Sequence, residues 1–77
     1  MPRLTPVHYR KFAKFLEYVG CEYKRKTGSH IIYSRNDLER PIVFPEDREL
    51  SMSVIMSNLK TLDISKEKFL EIILKIK

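Results

Sequence analysis

The chain predicts an α+β domain, and three observations carry that prediction. Apolar residues near the start recur at helical spacing, two β-rich runs meet at a glycine corner, and two further helical stripes close the chain. A third β-rich run lies between prolines after the corner. The order is therefore α-β-β-β-α with an additional C-terminal helix, around a three-stranded antiparallel sheet. The 77 residues make one domain, 1–77. A chain of this size buries only about 60% of the surface its unfolded form exposes. Its working groups are accordingly expected on the surface, with no deep pocket.

In the first helix, Thr5 suits the cap and Pro6 the first position. The apolar stripe is Tyr9, Phe12, Ala13, Leu16 and Val19, and Gly20 is placed to end the helix. Arg10, Lys11 and Lys14 lie off the stripe and form a basic outer face. From Cys21 to about Arg35 the chain reads as a hairpin, with Tyr23, Ile31, Ile32 and Tyr33 as strand formers. A three-residue loop, Lys26-Thr27-Gly28, needs positive φ only at its glycine; a two-residue turn needs it at Thr27 or starts on the glycine. The three-residue loop pairs Arg25 with Ser29 and Tyr23 with Ile31. It puts Cys21, Tyr23, Ile31 and Tyr33 on a buried face, and Glu22, Lys24, His30 and Ile32 on an open one.

Residues Arg35 to Arg40 form a polar turn. Ile42-Val43-Phe44, between Pro41 and Pro45, is a short strand whose prolines favour an edge. Glu46-Asp47-Arg48-Glu49 reads as a solvated connector. The second helix begins near Ser51 or Ser53 and runs to about Leu62, burying Met52, Ile55, Met56 and Leu59. Ser65 caps the third, whose stripe is Phe69, Ile72, Ile73 and Ile76. Leu70 and Leu74 widen that stripe, either as a second core contact or as a docking surface for another chain, a second copy included.

Fifteen Lys and Arg against ten Asp and Glu leave a formal charge of +5, which favours a polyanionic partner. No long apolar run exists and Met1-Pro2-Arg3-Leu4 is not a signal sequence, so a cytoplasmic protein without membrane contact is expected. Cys21 is the only cysteine, which excludes an internal disulfide and suits a reducing compartment and a core position. His8, Cys21 and His30 lack metal-ligand spacing, and no cofactor is implied.

Lys24-Arg25-Lys26-Thr27-Gly28-Ser29-His30 concentrates the chemistry. Lys24, Arg25 and Lys26 would neutralise phosphate, the sequence-independent attraction behind much nucleic-acid affinity. Gly28 lets the backbone reverse. Ser29 offers a hydroxyl, and His30 an imidazole able to move a proton near neutral pH. Together they describe a groove that holds a phosphodiester beside a proton-transfer group, with Arg10, Lys11 and Lys14 extending the phosphate track. An ordinary hairpin corner on a solvated edge has the same composition, so the motif alone does not decide.

With these residues the chain resembles the HicA, or YcfA-like, family of toxin–antitoxin mRNA interferases. The likeness is closest from Gly20 to His30. It extends to Leu4-Thr5-Pro6-Val7, Phe15-Leu16-Glu17, Ile42-Val43-Phe44-Pro45, Glu49-Leu50, Leu59-Lys60, Ile64-Ser65 and Phe69-Leu70. The resemblance implies a fold like a double-stranded RNA-binding domain, mRNA cleavage by a single histidine, here His30, and neutralisation by a HicB-type antitoxin. The chain departs from many relatives at Cys21, at Glu46-Asp47-Arg48, where they carry histidine and glycine, and at Met52-Ser53, where they carry Pro-Gly. Two other readings fit the same residues: a non-catalytic RNA-binding module, and a protein-interaction domain working through the C-terminal helix.

Overall fold

A computed structural model describes residues 7–76. The elements run α1 (Tyr9–Tyr18), β1 (Glu22–Thr27), β2 (His30–Ser34), β3 (Ile42–Pro45), α2 (Met52–Leu62) and α3 (Lys66–Lys75). The sheet is antiparallel in the order β1-β2-β3. This is the expected α+β architecture.

Helix α1 starts later than its sequence suggests. Thr5 and Pro6 lie outside the described residues; the cap is His8, whose Nδ1 accepts the Arg10 N–H at 3.1 Å. Val7, one residue earlier, is extended and bridges to Leu50. Gly20 ends the helix at φ +92°, with the Gly20 N–H bonding Glu17 O and the Cys21 N–H bonding Leu16 O. That pair of bonds satisfies carbonyls the last turn would leave open. Arg35 supplies a third donor there, to Val19 O at 2.7 Å, while gripping Asp37 through Nε at 2.6 Å. The guanidinium beside it holds the Asp37 carboxyl below the usual carboxylate range.

Helix α2 ends with the same bonding pattern, the Asp63 N–H to Lys60 O and the Ile64 N–H to Leu59 O. Here the left-handed residue is Asp63, at φ 57° and ψ 43°. A side chain in that conformation is strained where glycine is not. Asp63→Gly is expected to stabilise the domain by about 0.5–1 kcal/mol, read as a raised thermal midpoint.

The core lies between the inner face of the sheet and the helices. Ile31, Tyr33, Ile42 and Phe44 point inward from β2 and β3. Phe12, Phe15 and Leu16 of α1 and Phe69, Ile72 and Ile73 of α3 meet them. Four phenylalanines form its centre: Phe12 lies 5.1 Å from Phe44, 5.7 Å from Phe15 and 6.0 Å from Phe69 between ring centroids. Cys21 is buried in the same cluster, and burial pushes its thiol pKa up. Tyr33 is buried to its hydroxyl, which donates to Glu17 Oε2 at 3.1 Å.

Burial of the Tyr33 ring, then its bond to Glu17, push the phenol pKa up to about 12. The fold therefore prefers the neutral phenol. That preference is fully present below the unfolded value near 10 and is lost as pH rises toward about 12. Spectrophotometric titration is expected to show one tyrosine ionising last, and Tyr33→Phe to remove that step.

Helix α2 departs from the expected pattern. Met52 and Met56 are exposed, at 38% and 42%, while Asn58 is buried. The buried arc is Ile55, Asn58, Leu59 and Leu62. Asn58 belongs to it because its Nδ2 donates to Val43 O at 3.1 Å, supplying the partner that β3's outer edge lacks. In α1, Phe15 is fully buried and the stripe's Tyr9, Ala13 and Val19 only partly so. Ser65 caps α3 as expected, and of the two starts expected for the second helix, Ser51 and Ser53, it is Ser51 that caps α2. In α3, Leu70 is half-buried and Leu74 is 82% exposed.

Candidate functional site

The corner between β1 and β2 is tighter than the three-residue loop the sequence favours. Thr27 pairs with His30, leaving Gly28 and Ser29 as a two-residue turn. Gly28 has φ +60°, whereas Ser29 is not in the left-handed region. Positive φ at the first central residue only is the II′ pattern, which matches the right-handed twist of the strands. A Cβ added at Gly28 would meet nothing within 4 Å, so the corner is open to solvent.

With this turn, Lys26 pairs with Ile31 and Arg25 with Ile32, and the register slips between Tyr23 and Arg25. Lys24 is the extra residue of a β-bulge. The slip restores Tyr23 opposite Tyr33, their rings 5.7 Å apart. The predicted pairs, Arg25 with Ser29 and Tyr23 with Ile31, are thus replaced. The predicted faces of β2 survive, because alternation along one strand does not depend on its partner, whereas Tyr23, expected on the buried face, is 56% exposed because β1 is an edge strand.

His30 stands exposed on the outer face of the sheet, across from Thr27 on one side and Pro45 on the other. Ile31, its neighbour, turns into the core. Ile32 and the 39%-exposed Val43 continue the outer face away from His30.

The bulge divides the three cations. Arg25 is carried to the outer face, diagonal to His30, and forms no ion pair with a described residue. Lys24 is drawn toward the open end of the hairpin, 3.8 Å from Glu22, in a small cleft it lines with Ser34 and Arg35. Lys26 falls on the inner-face side and bonds Glu46 Oε1 at 3.0 Å. That hydrogen bond and the Glu46 charge raise the Lys26 pKa, with smaller contributions from Tyr23 and Tyr9 nearby. Arg25, not Lys24, is the cation beside the imidazole.

The loop 46–49, expected to be a plain connector, buttresses the corner. The Glu46 N–H donates to Ser29 O at 2.8 Å, and Asp47 O accepts the Tyr9 N–H at 3.2 Å. The corner, the loop and the first turn of α1 are thereby joined. Arg10, Lys11 and Lys14 sit on a helix packed against the inner face, so they do not share His30's side of the sheet. Only the start of α1 reaches the corner. Sequence periodicity missed Glu46, because its partners, Lys26 on β1 and Ser29 in the corner, lie beyond β2 and far off in sequence.

Among the described residues no three His, Cys, Asp or Glu side chains gather as metal ligands. No helix among them is long and apolar enough to cross a membrane.

A three-stranded antiparallel sheet with helices packed on one face, and an exposed histidine at a glycine corner on the other, define the domain as an α+β unit of α-β-β-β-α-α order. The family profile of the HicA toxin of bacterial toxin–antitoxin systems matches residues 9–64, which takes in α1, the whole sheet and α2. The chain belongs to the HicA toxin family, and its partner class is accordingly an antitoxin. No curated protein and no solved structure gives a significant match.

Proposed function

We propose that this toxin is a ribonuclease that cleaves mRNA at the corner of the first hairpin, with His30 as the proton-transfer group. The observation that carries this reading is the solvent-exposed His30 on the outer sheet face, diagonal to Arg25, which forms no ion pair among the described residues. A phosphodiester drawn to Arg25 lies across the face on which His30 stands.

His30 takes the proton of a ribose 2′-OH. The 2′ oxygen attacks the adjacent phosphorus, the bond from phosphorus to the 5′ oxygen breaks, and a 2′,3′-cyclic phosphate forms. Arg25 neutralises the extra charge on the pentacoordinate phosphorus, an electrostatic role often larger than proton transfer itself. Ser29, in the open turn, is placed to hydrogen-bond a phosphate oxygen. Lys24 and Lys26, held by Glu22 and Glu46, contribute charge to the flanks. The positions across from His30 are Thr27 and Pro45, neither of which is an acid, so the leaving 5′ oxygen takes its proton from water or from the imidazolium. One proton-transfer group predicts a slow enzyme on naked RNA. The nucleophile is the substrate's own hydroxyl, so the chemistry asks for no metal. A HicB-type antitoxin would neutralise the toxin by covering this basic surface.

Incubating the purified chain with RNA in the presence of a chelator tests the reading. Fragments ending in 2′,3′-cyclic phosphate and 5′-hydroxyl are expected. RNA bound but recovered at full length would favour a binding module without chemistry.

A further inference from the structure

The residues entering α1 carry more planar surface than a helix cap requires. The His8 and Tyr9 rings stack at 4.8 Å between centroids and 26° between planes. The Arg10 guanidinium lies 5.7 Å from the centroid of the Tyr9 ring, and its Nε donates to the Tyr9 hydroxyl at 3.3 Å. His8 Nδ1 is occupied by the Arg10 N–H, so the imidazole is pinned although His8 is exposed. Capping does not call for a ring, since Ser, Thr, Asp and Asn are the preferred caps.

We infer that the His8–Tyr9–Arg10 stack is a platform for an unpaired base of the RNA strand held at the corner; this rests on the RNA reading above. Its position supports the inference. Asp47 O holds the Tyr9 N–H, Glu46 beside it holds both Ser29 O and Lys26, and the Tyr9 phenol is near enough to Lys26 to raise its pKa. The stack therefore borders the corner on the side away from His30, where a strand passing over the open Gly28-Ser29 turn would arrive. A base stacks on an aromatic or guanidinium plane whatever its identity, because every base has a π-face. A base inside an A-form duplex has both faces occupied, so the platform selects single-stranded RNA over double-stranded RNA. A ring already held in place loses little freedom on binding.

The ring and the cap can be separated. Both variants are made in the full chain carrying His30→Ala, so that binding is read without cutting. His8→Ser keeps a capping oxygen and removes the ring; His8→Phe keeps a ring and removes the cap. Affinity is measured by fluorescence anisotropy for a short single-stranded RNA and for the same sequence as a duplex, with thermal melts alongside. The platform predicts that His8→Ser weakens single-strand binding roughly 5- to 100-fold, leaves duplex binding unchanged, and melts like the parent. His8→Phe is expected to bind like the parent while melting lower. Unchanged single-strand binding in His8→Ser overturns the platform, as does equal loss for the duplex or equal loss in His8→Phe. If the parent chain binds no RNA at all, the RNA reading itself fails, an outcome distinct from the others.

Discussion

Replacing His30 by alanine is expected to slow RNA cleavage by roughly 10²–10⁴-fold, the usual contribution of a positioned general base. Folding should survive the change. His30 is exposed, bonds no side chain through its ring among the described residues, and its strand is held by backbone pairing to Thr27 and Pro45. Exposed substitutions of this kind shift stability by no more than about 0.5 kcal/mol. The comparison is single-turnover cleavage by parent and variant at matched concentration, with thermal melts of both. RNA affinity should change little, since Arg25 and the flanking cations remain. A variant that cuts as fast as the parent would remove His30 from the chemistry.

The second large effect concerns the core. Phe12→Ala is expected to unfold the domain or to leave it barely folded at room temperature. Phe12 is fully buried and contacts Phe15, Phe44 and Phe69, so it joins α1 to both the sheet and α3. Truncating a buried phenylalanine to alanine costs about 3–5 kcal/mol. A single core of this size supplies a net stability of about 3–5 kcal/mol, so the two magnitudes are equal and the fold has no reserve. Leu74→Ala is the control: that side chain is 82% exposed, and its removal should leave the melt where it was. Circular dichroism of the two variants separates the cases.

What could be read from the sequence was what depends on near neighbours. Ser65 was legible as a cap, and the second helix's start was narrowed to Ser51 or Ser53, because a capping hydroxyl bonds an N–H three residues on, as Ser51 and Ser65 do here. Gly20 was legible as a helix end because the left-handed region selects it. His30's face followed from strict alternation along β2, which made Ile31 and Tyr33 the buried set. What could not be read was what a partner strand or helix decides. The bulge at Lys24 has no glycine to announce it, yet it moves Arg25 onto the outer face and Lys26 off it. Asn58 was left out of the expected stripe because its partner, the Val43 carbonyl, is 15 residues away in sequence. Met52 and Met56 consequently seemed to complete a stripe that Asn58 in fact occupies. Glu46 was passed over for the same reason: its hold on Lys26 and Ser29 spans 20 and 17 residues. The composition of the site was therefore visible, whereas the choice of the cation beside the imidazole required the register.

The most direct test of the mechanism changes the substrate and leaves the protein untouched. A single-stranded RNA containing one mapped cleavage site is prepared twice, once as all-RNA and once with a 2′-deoxy sugar on the 5′ side of the scissile phosphate. If His30 activates that hydroxyl, the deoxy oligonucleotide binds with similar affinity and is not cut at the site, while the all-RNA strand yields a 2′,3′-cyclic end. Cleavage of the deoxy strand at the same bond would contradict the account, because the attacking oxygen would then have to come from water.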